Sequence, residues 1–165
     1  MSGFTDYELA RLSQAIYPKT VQTGCSEGVI SFRYDHSLIK PLGVIDHMGL
    51  VSDYKTDTQV LVVERDGHWV FIFRGTKGIK DWKQSVKEVS WQNGWRDCWE
   101  SVQHIEAAPT RYIWDVNKQS PQSITVTGHS LGGNIAMLAA SDLVGRFSHV
   151  RSVVFGPAKF RPLLA

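Results

Sequence analysis

The segment VTGHSLGGNIA, Val126 to Ala136, sets Ser130 between Gly128 and the pair Gly132–Gly133. A serine in a G-x-S-x-G frame can act as a nucleophile when a tight strand-to-helix turn carries its Oγ out of a sheet. That chemistry needs these residue types. Small neighbours let the backbone reverse without a clash, and Gly132 with Gly133 lets the following helix pack close behind. The helix N-terminus then offers free amides and positive potential to a developing oxyanion. A nucleophilic serine also needs a base, and the base needs an acid to orient it. A phosphate-binding loop is the rival interpretation. GHSLGG lacks both the lysine of G-x-x-x-x-G-K-[ST] and the G-x-G-x-x-G spacing, so nucleotide binding is not expected.

Six histidines could supply the base. His129 directly precedes Ser130 and would point elsewhere, as a structural hydrogen-bonding residue. His149 precedes the last strand and His68 sits beside a hairpin turn, both at the end of the sheet opposite the serine. His36 lies in an unrelated segment. His47, next to Asp46, and His104, on a long helical stretch, stay open as bases, although a histidine in such a place is more often a surface or core residue. No Asp or Glu follows Asp142 and no His follows His149. The triad acid and base are left unassigned by these residues alone.

The elements that must position the serine are legible around it. Ser123 to Thr127 is an apolar, β-branched strand, Leu131 to Leu143 an apolar helix with Gly145 as its C-terminal cap, and Val150 to Phe155 a further strand closed by Gly156–Pro157. Strand, helix, strand is a βαβ unit and implies parallel pairing. Upstream, Val60 to Glu64 and Trp69 to Phe73 flank Asp66–Gly67, the strongest short hairpin signal. Thr5 and Glu8 form a capping box before Leu9, Leu12, Ala15 and Ile16 at helical spacing, and Pro18 stops that first helix. Between Val21 and Asp57 the sequence gives turn signals at Gly24, Gly28, Pro41-Leu42-Gly43 and Gly49, and a short strand at Val29 to Tyr34. Lys80 to Val89 reads as a short helix. Trp95 to Lys118 reads as a longer one, kinked near Ala108 by Pro109.

The bulk composition fits one domain over 1–165. The 165 residues are 42% hydrophobic and 21% charged, with 14 Gly and 6 Pro, which excludes disorder, a collagen-like chain and a coiled coil. A net charge of +2, with 18 basic residues opposed by 16 acidic ones, gives no nucleic-acid surface. The mixed charges from Arg74 to Lys87 read as a solvated face. Cys25 and Cys98 form no disulfide framework and are expected to be free thiols. The first residues lack a basic start followed by an apolar run, so no secretory leader is predicted, and no stretch is long and apolar enough for a membrane span. No metal or organic cofactor is implied.

Five collinear stretches together resemble the fungal-type triacylglycerol lipases, the class three lipase family of the α/β hydrolases. VTGHSLGG is similar to its nucleophile elbow. VFIFRGT followed by KGIKDW resembles its oxyanion strand and loop and the start of its lid. NGWRDCWESV resembles its H-x-G-F segment, VVFGPAKF the strand and turn after the nucleophile helix, and ELARLSQAIY its N-terminal helix. The resemblance runs from Glu8 to Phe160 and implies an α/β-hydrolase fold with a mixed or mostly parallel sheet and flanking helices. It implies Ser130 as nucleophile, the Leu131 amide and Thr76 as oxyanion donors, and Trp82 as a lid residue. Lipid or small ester substrates follow from it. Two departures stand out. Gln92-Asn93-Gly94-Trp95 replaces H-x-G-F, a change that bears on packing because that histidine is not the triad base. The family's acid and base come after the F-G-x-P strand, so the chain is expected to be C-terminally truncated. An open sheet edge follows, to be covered by a second chain or by self-association.

Overall fold

A computed structural model describes residues 3–16, 22–26, 29–32, 36–47, 50–53, 59–74 and 120–156. Eight strands form one sheet: β1 (Gln22–Ser26), β2 (Val29–Phe32), β3 (Ile45–Asp46), β4 (Leu50–Asp53), β5 (Gln59–Arg65), β6 (His68–Phe73), β7 (Ser123–His129) and β8 (Val150–Phe155). Their order is β1-β2-β4-β5-β6-β7-β8, with β3 paired to β5 off this path. The sheet is mixed, as expected. Pairing is antiparallel up to β6 and parallel from β6 to β7 and from β7 to β8. Helix α1 (Asp6–Ala15) and the short α2 (His36–Ile39) cover one face, and α3 (Leu131–Leu143) covers the other.

Alternation along the central strands produces these layers, because successive side chains of a strand point to opposite faces. Val60, Val62, Trp69, Phe71, Phe73, Ile124 and Val126 bury themselves against Ile135, Ala136, Ala139 and Leu143 of α3. Leu61, Val63, Val70 and Ile72 take the other face, against Leu9, Leu12, Ala15 and Ile16 of α1. The central strands thus have two buried faces, which is why their sequence reads as near-continuous apolar runs rather than as a clean alternation.

The local signals were followed closely. Asp66 and Gly67 both adopt positive φ, 52° and 81°, as a two-residue I′ turn requires, and Arg65 pairs with His68 across it. The Thr5 Oγ1 accepts from the Glu8 amide at 3.2 Å, and the Glu8 carboxylate accepts from the Thr5 amide at 3.0 Å, completing the capping box. Gly43, with φ 65°, closes a 3-10 turn over Lys40–Leu42.

Other expectations were not met. Gly24 lies inside β1 at a register irregularity rather than in a turn, because β1 is held by pairing to β2. Gly145 is not a left-handed cap. Val144 closes α3 in right-handed geometry, and among the described residues the positive-φ glycines are Gly43, Gly67 and Gly156. Arg74 is not solvated: it is 6% exposed, and its Nη1 donates to Gln59 Oε1 at 2.9 Å. The predicted helices at Lys80 to Val89 and Trp95 to Lys118, together with Cys98, Gly28 and Gly49, lie outside the described residues.

One ion pair ties α1 to the hairpin. Arg65 grips the Glu8 carboxylate through two nitrogens at 2.5 and 3.0 Å, donates to the Leu42 carbonyl, and lies over the Phe4 ring. The Arg65 hydrogen bond, opposed by burial and aided by the Thr5 amide, holds the Glu8 carboxyl down to about 2, from an ordinary value of 4.5. A carboxyl depressed on folding stabilises the protein fully above its unfolded value and loses that contribution as the pH falls through its folded value. Glu8→Gln should therefore destabilise by about 2 kcal/mol at pH 7. Urea unfolding should show this deficit shrinking below pH 4.5 and closing near pH 2. A deficit independent of pH would disprove the linkage.

Candidate active site

Ser130 stands where β7 ends and α3 begins, as the N-cap of α3. Its φ of 56° and ψ of −127° put it in a backbone region that L-residues rarely occupy. A serine at an N-cap ordinarily turns its hydroxyl back to accept from an amide two or three residues on. Here no side-chain capping bond forms, so the oxygen is not used to hold the helix. The main chain is held instead. The Ser130 amide donates to the Phe155 carbonyl at 3.1 Å, and the Ser130 carbonyl accepts from the Gly133 amide at 3.0 Å.

The glycines have a measurable reason. A Cβ on Gly128 would sit 2.5 Å from both the carbonyl carbon and the oxygen of Gly132, and 2.8 Å from the Gly133 nitrogen. A Cβ on Gly133 would meet the Gly128 oxygen and Val154 Cβ at 3.2 Å. The helix start is thus pressed onto the strand end with no room for a methyl group. Leu131, half-buried, is the first residue of α3, and its amide belongs to the turn that a helix leaves without intrahelical acceptors. Such an amide at the positive end of a 13-residue helix can stabilise an adjacent negative oxygen.

The second expected oxyanion donor cannot be placed so directly. Thr76 and Trp82 lie outside the described residues, as does His104. What is placed is the strand that leads to Thr76: Phe73, the last residue of β6, pairs with Gly128. The next residue is fixed by two bonds to Gln59, from the Arg74 amide to the Gln59 carbonyl at 2.9 Å and from the Arg74 guanidinium to the Gln59 side chain. Arg74 is a buried cation at the carboxyl end of the sheet. Nothing in an R-G-T sequence distinguishes it from a surface arginine, and only the neighbouring strand reveals it.

The histidines sort clearly. His68 pairs with Ser123 and His149 offers its carbonyl to Ile124, both at the amino end of β7. At about 3.3 Å per strand residue, both lie about 20 Å from Ser130. His47 stacks flat on Trp69 at 4.3 Å between ring centroids and faces Glu64 at 3.7 Å, again at the far end. His129 projects to the opposite face of β7 from Gly128 and is exposed, with its ring beside the Gly156 turn. Among the described residues with placed side chains, no histidine other than His129 is close to Ser130 along the chain or the sheet. The structure brings together Ser130 and Leu131, together with the exit of the strand that precedes Thr76.

Two substitutions read the strain and the packing at the turn. Ser130→Gly should unfold at higher urea than Ser130→Ala by about 1 kcal/mol, since only glycine accepts this backbone without strain. Gly128→Ala should destabilise by about 3 kcal/mol, because the backbone of Gly132 cannot move aside as a flexible side chain would. Equal midpoints for the two Ser130 variants would contradict the strained geometry.

The model of the class 3 lipase family, "Lipase (class 3)", matches residues 70–160. The Rhizomucor miehei lipase in its propeptide complex superposes with a TM-score of 0.63 at 23% identity, over 92% of this chain and 51% of that one. The lipase of Rhizopus microsporus var. chinensis gives 0.64 at 18% identity, over 92% and 56%. The Yarrowia lipolytica lipase gives 0.66 at 19% identity, over 91% and 56%. These likenesses show a common fold, and the chain spans about half the length of the lipases it matches. No curated protein sequence matches it. Among the described residues, no helix is long and apolar enough to cross a membrane.

Proposed function

This chain belongs to the class 3 lipase family, and on that premise we propose that it carries the nucleophile of a serine-dependent carboxylic ester hydrolase acting on lipid-like acyl esters. The observation that carries the proposal is the Ser130 backbone, φ 56° and ψ −127°, at the head of α3 with its hydroxyl not used for capping. A strained, rigidly held serine is what an acyl-transfer site requires, and a fold alone would not demand it.

In this reading the Ser130 Oγ attacks the ester carbonyl while a base takes its proton. The negative charge that moves onto the carbonyl oxygen is held by the Leu131 amide and by Thr76. The alcohol leaves with the proton and an acyl-Ser130 remains. Water, deprotonated by the same base, then releases the acid and restores the serine. Trp82 belongs to a lid over the acyl chain. The base is a histidine and its orienting group an aspartate, both supplied from outside this chain. What supports that assignment is the placement of His47, His68 and His149 at the wrong end of the sheet, while His104, left open by the sequence, lies outside the described residues. A second polypeptide, or a second copy, would cover β8 and bring these groups to the site.

Triad residues act as a unit, and loss of one leaves about 10³–10⁴-fold catalysis over water from the oxyanion hole and binding. The chain alone should hydrolyse short p-nitrophenyl esters barely above a Ser130→Ala control. A fluorophosphonate probe should label Ser130 slowly, and not at all in Ser130→Ala. Rapid Ser130-dependent turnover by the isolated chain would show that it holds its own base. Absence of labelling under every condition would favour an inactive hydrolase scaffold used for binding.

A further inference from the structure

A second polar cluster lies at the opposite end of β7, on the α1 face of the sheet. A cavity of about 400 Å³ opens there, lined by His68, Ser123, Thr125, His149 and Arg151, with Phe4 on its apolar side. Two imidazoles and a guanidinium converge on it, and no carboxylate is among its described lining residues. Arg151 is anchored rather than free to swing: its Nη2 donates to the Phe4 carbonyl and its Nε to Thr125 Oγ1 at 3.4 Å. These bonds use two of the five N–H groups a guanidinium carries and hold its plane in place.

His68 supplies a second, independent observation. It is 8% exposed, its Nδ1 lies 2.7 Å from Ser123 Oγ, and its buried Nε2 has no partner. Either tautomer leaves this pair one proton to give. If the Ser123 hydroxyl donates to Nδ1, then Nε2 carries a hydrogen without an acceptor. If Nδ1 donates to Ser123, the hydroxyl hydrogen remains for something in the cavity. Nε2 is closed off from the cavity, so an acceptor there meets this pair at the Ser123 hydroxyl, which has a proton to donate when Nδ1 donates to it.

We propose that this cavity is a binding site for a small oxyanion, a phosphate or carboxylate group, held by Arg151, His149 and the His68–Ser123 pair. The ligand would bridge β6, β7, β8 and the segment before α1, since His68, Ser123, His149, Arg151 and Phe4 come from all four. The site lies a full strand length from Ser130 and does not depend on its chemistry.

Thermal unfolding of the chain in phosphate, in acetate and in chloride at matched ionic strength tests the proposal. Phosphate or acetate should raise Tm saturably above chloride. A response to phosphate alone identifies a phosphoryl ligand, and a response to acetate alone a carboxylate. The apparent affinity should fall about tenfold in Arg151→Met, as expected for loss of a charge-assisted contact. It should also fall in His149→Gln, an exposed position that folding tolerates, and this variant carries the test if Arg151→Met does not fold. In ¹⁵N-histidine spectra the His68 ring should shift with the same midpoint. The proposal fails if neither anion exceeds chloride, or if the response is undiminished in His149→Gln and Arg151→Met.

Discussion

The rest of the molecule is built around a backbone approach too close for a methyl group. Gly128 and Gly132 press the start of α3 onto the end of β7, and a Cβ there would come within 2.5 Å of the facing carbonyl. That approach forces the chain to reverse within a residue or two and leaves Ser130 in a strained conformation. Strain of this kind persists only where the surroundings fix it. Here the fixing is done by the Phe155 carbonyl, by the parallel ladders on both sides of β7, and by the aromatic and aliphatic layer beneath α3. The sheet order follows from the same requirement. The turn needs a strand on each side, and β6 and β8 supply them.

In the proposed hydrolase, the work at this turn is divided between what the sheet holds rigidly and what arrives from other segments. Ser130 and Leu131 are consecutive residues on a fixed corner. Thr76 follows β6, whose end is pinned to Gly128 by the ladder and to Gln59 by Arg74. A single serine is presented by a well-supported corner. The lipases that share this fold are about twice as long as this chain.

Much of this was legible in the sequence wherever the signal was local. The capping box at Thr5 and Glu8, the Asp66–Gly67 hairpin, and the strand–helix–strand from Ser123 to Phe155 all rest on residues within a few positions of one another. The strands β1, β3 and β4 were not read, because each is short and exists through pairing, β1 with the adjacent β2 and β3 and β4 with β5 further along the chain. Gly24 signalled a turn by its type, yet sheet pairing made it part of a bulged strand. Arg74 looked like one more surface charge, yet a glutamine fifteen residues earlier buries it. The cluster at the amino end of β7 was invisible for the same reason. Its members run from Phe4 to Arg151, and no pattern in the sequence connects them.

The Glu8 carboxylate serves two masters. Its Oε1 accepts from the Thr5 amide at the first turn of α1, and both of its oxygens accept from Arg65 at the hairpin. The first turn of α1 cannot fray without releasing Arg65, and the hairpin cannot open without exposing the start of α1. Two elements more than fifty residues apart in sequence are thereby joined into one cooperative opening unit. Their amides should exchange with solvent as a group rather than from the chain end inward.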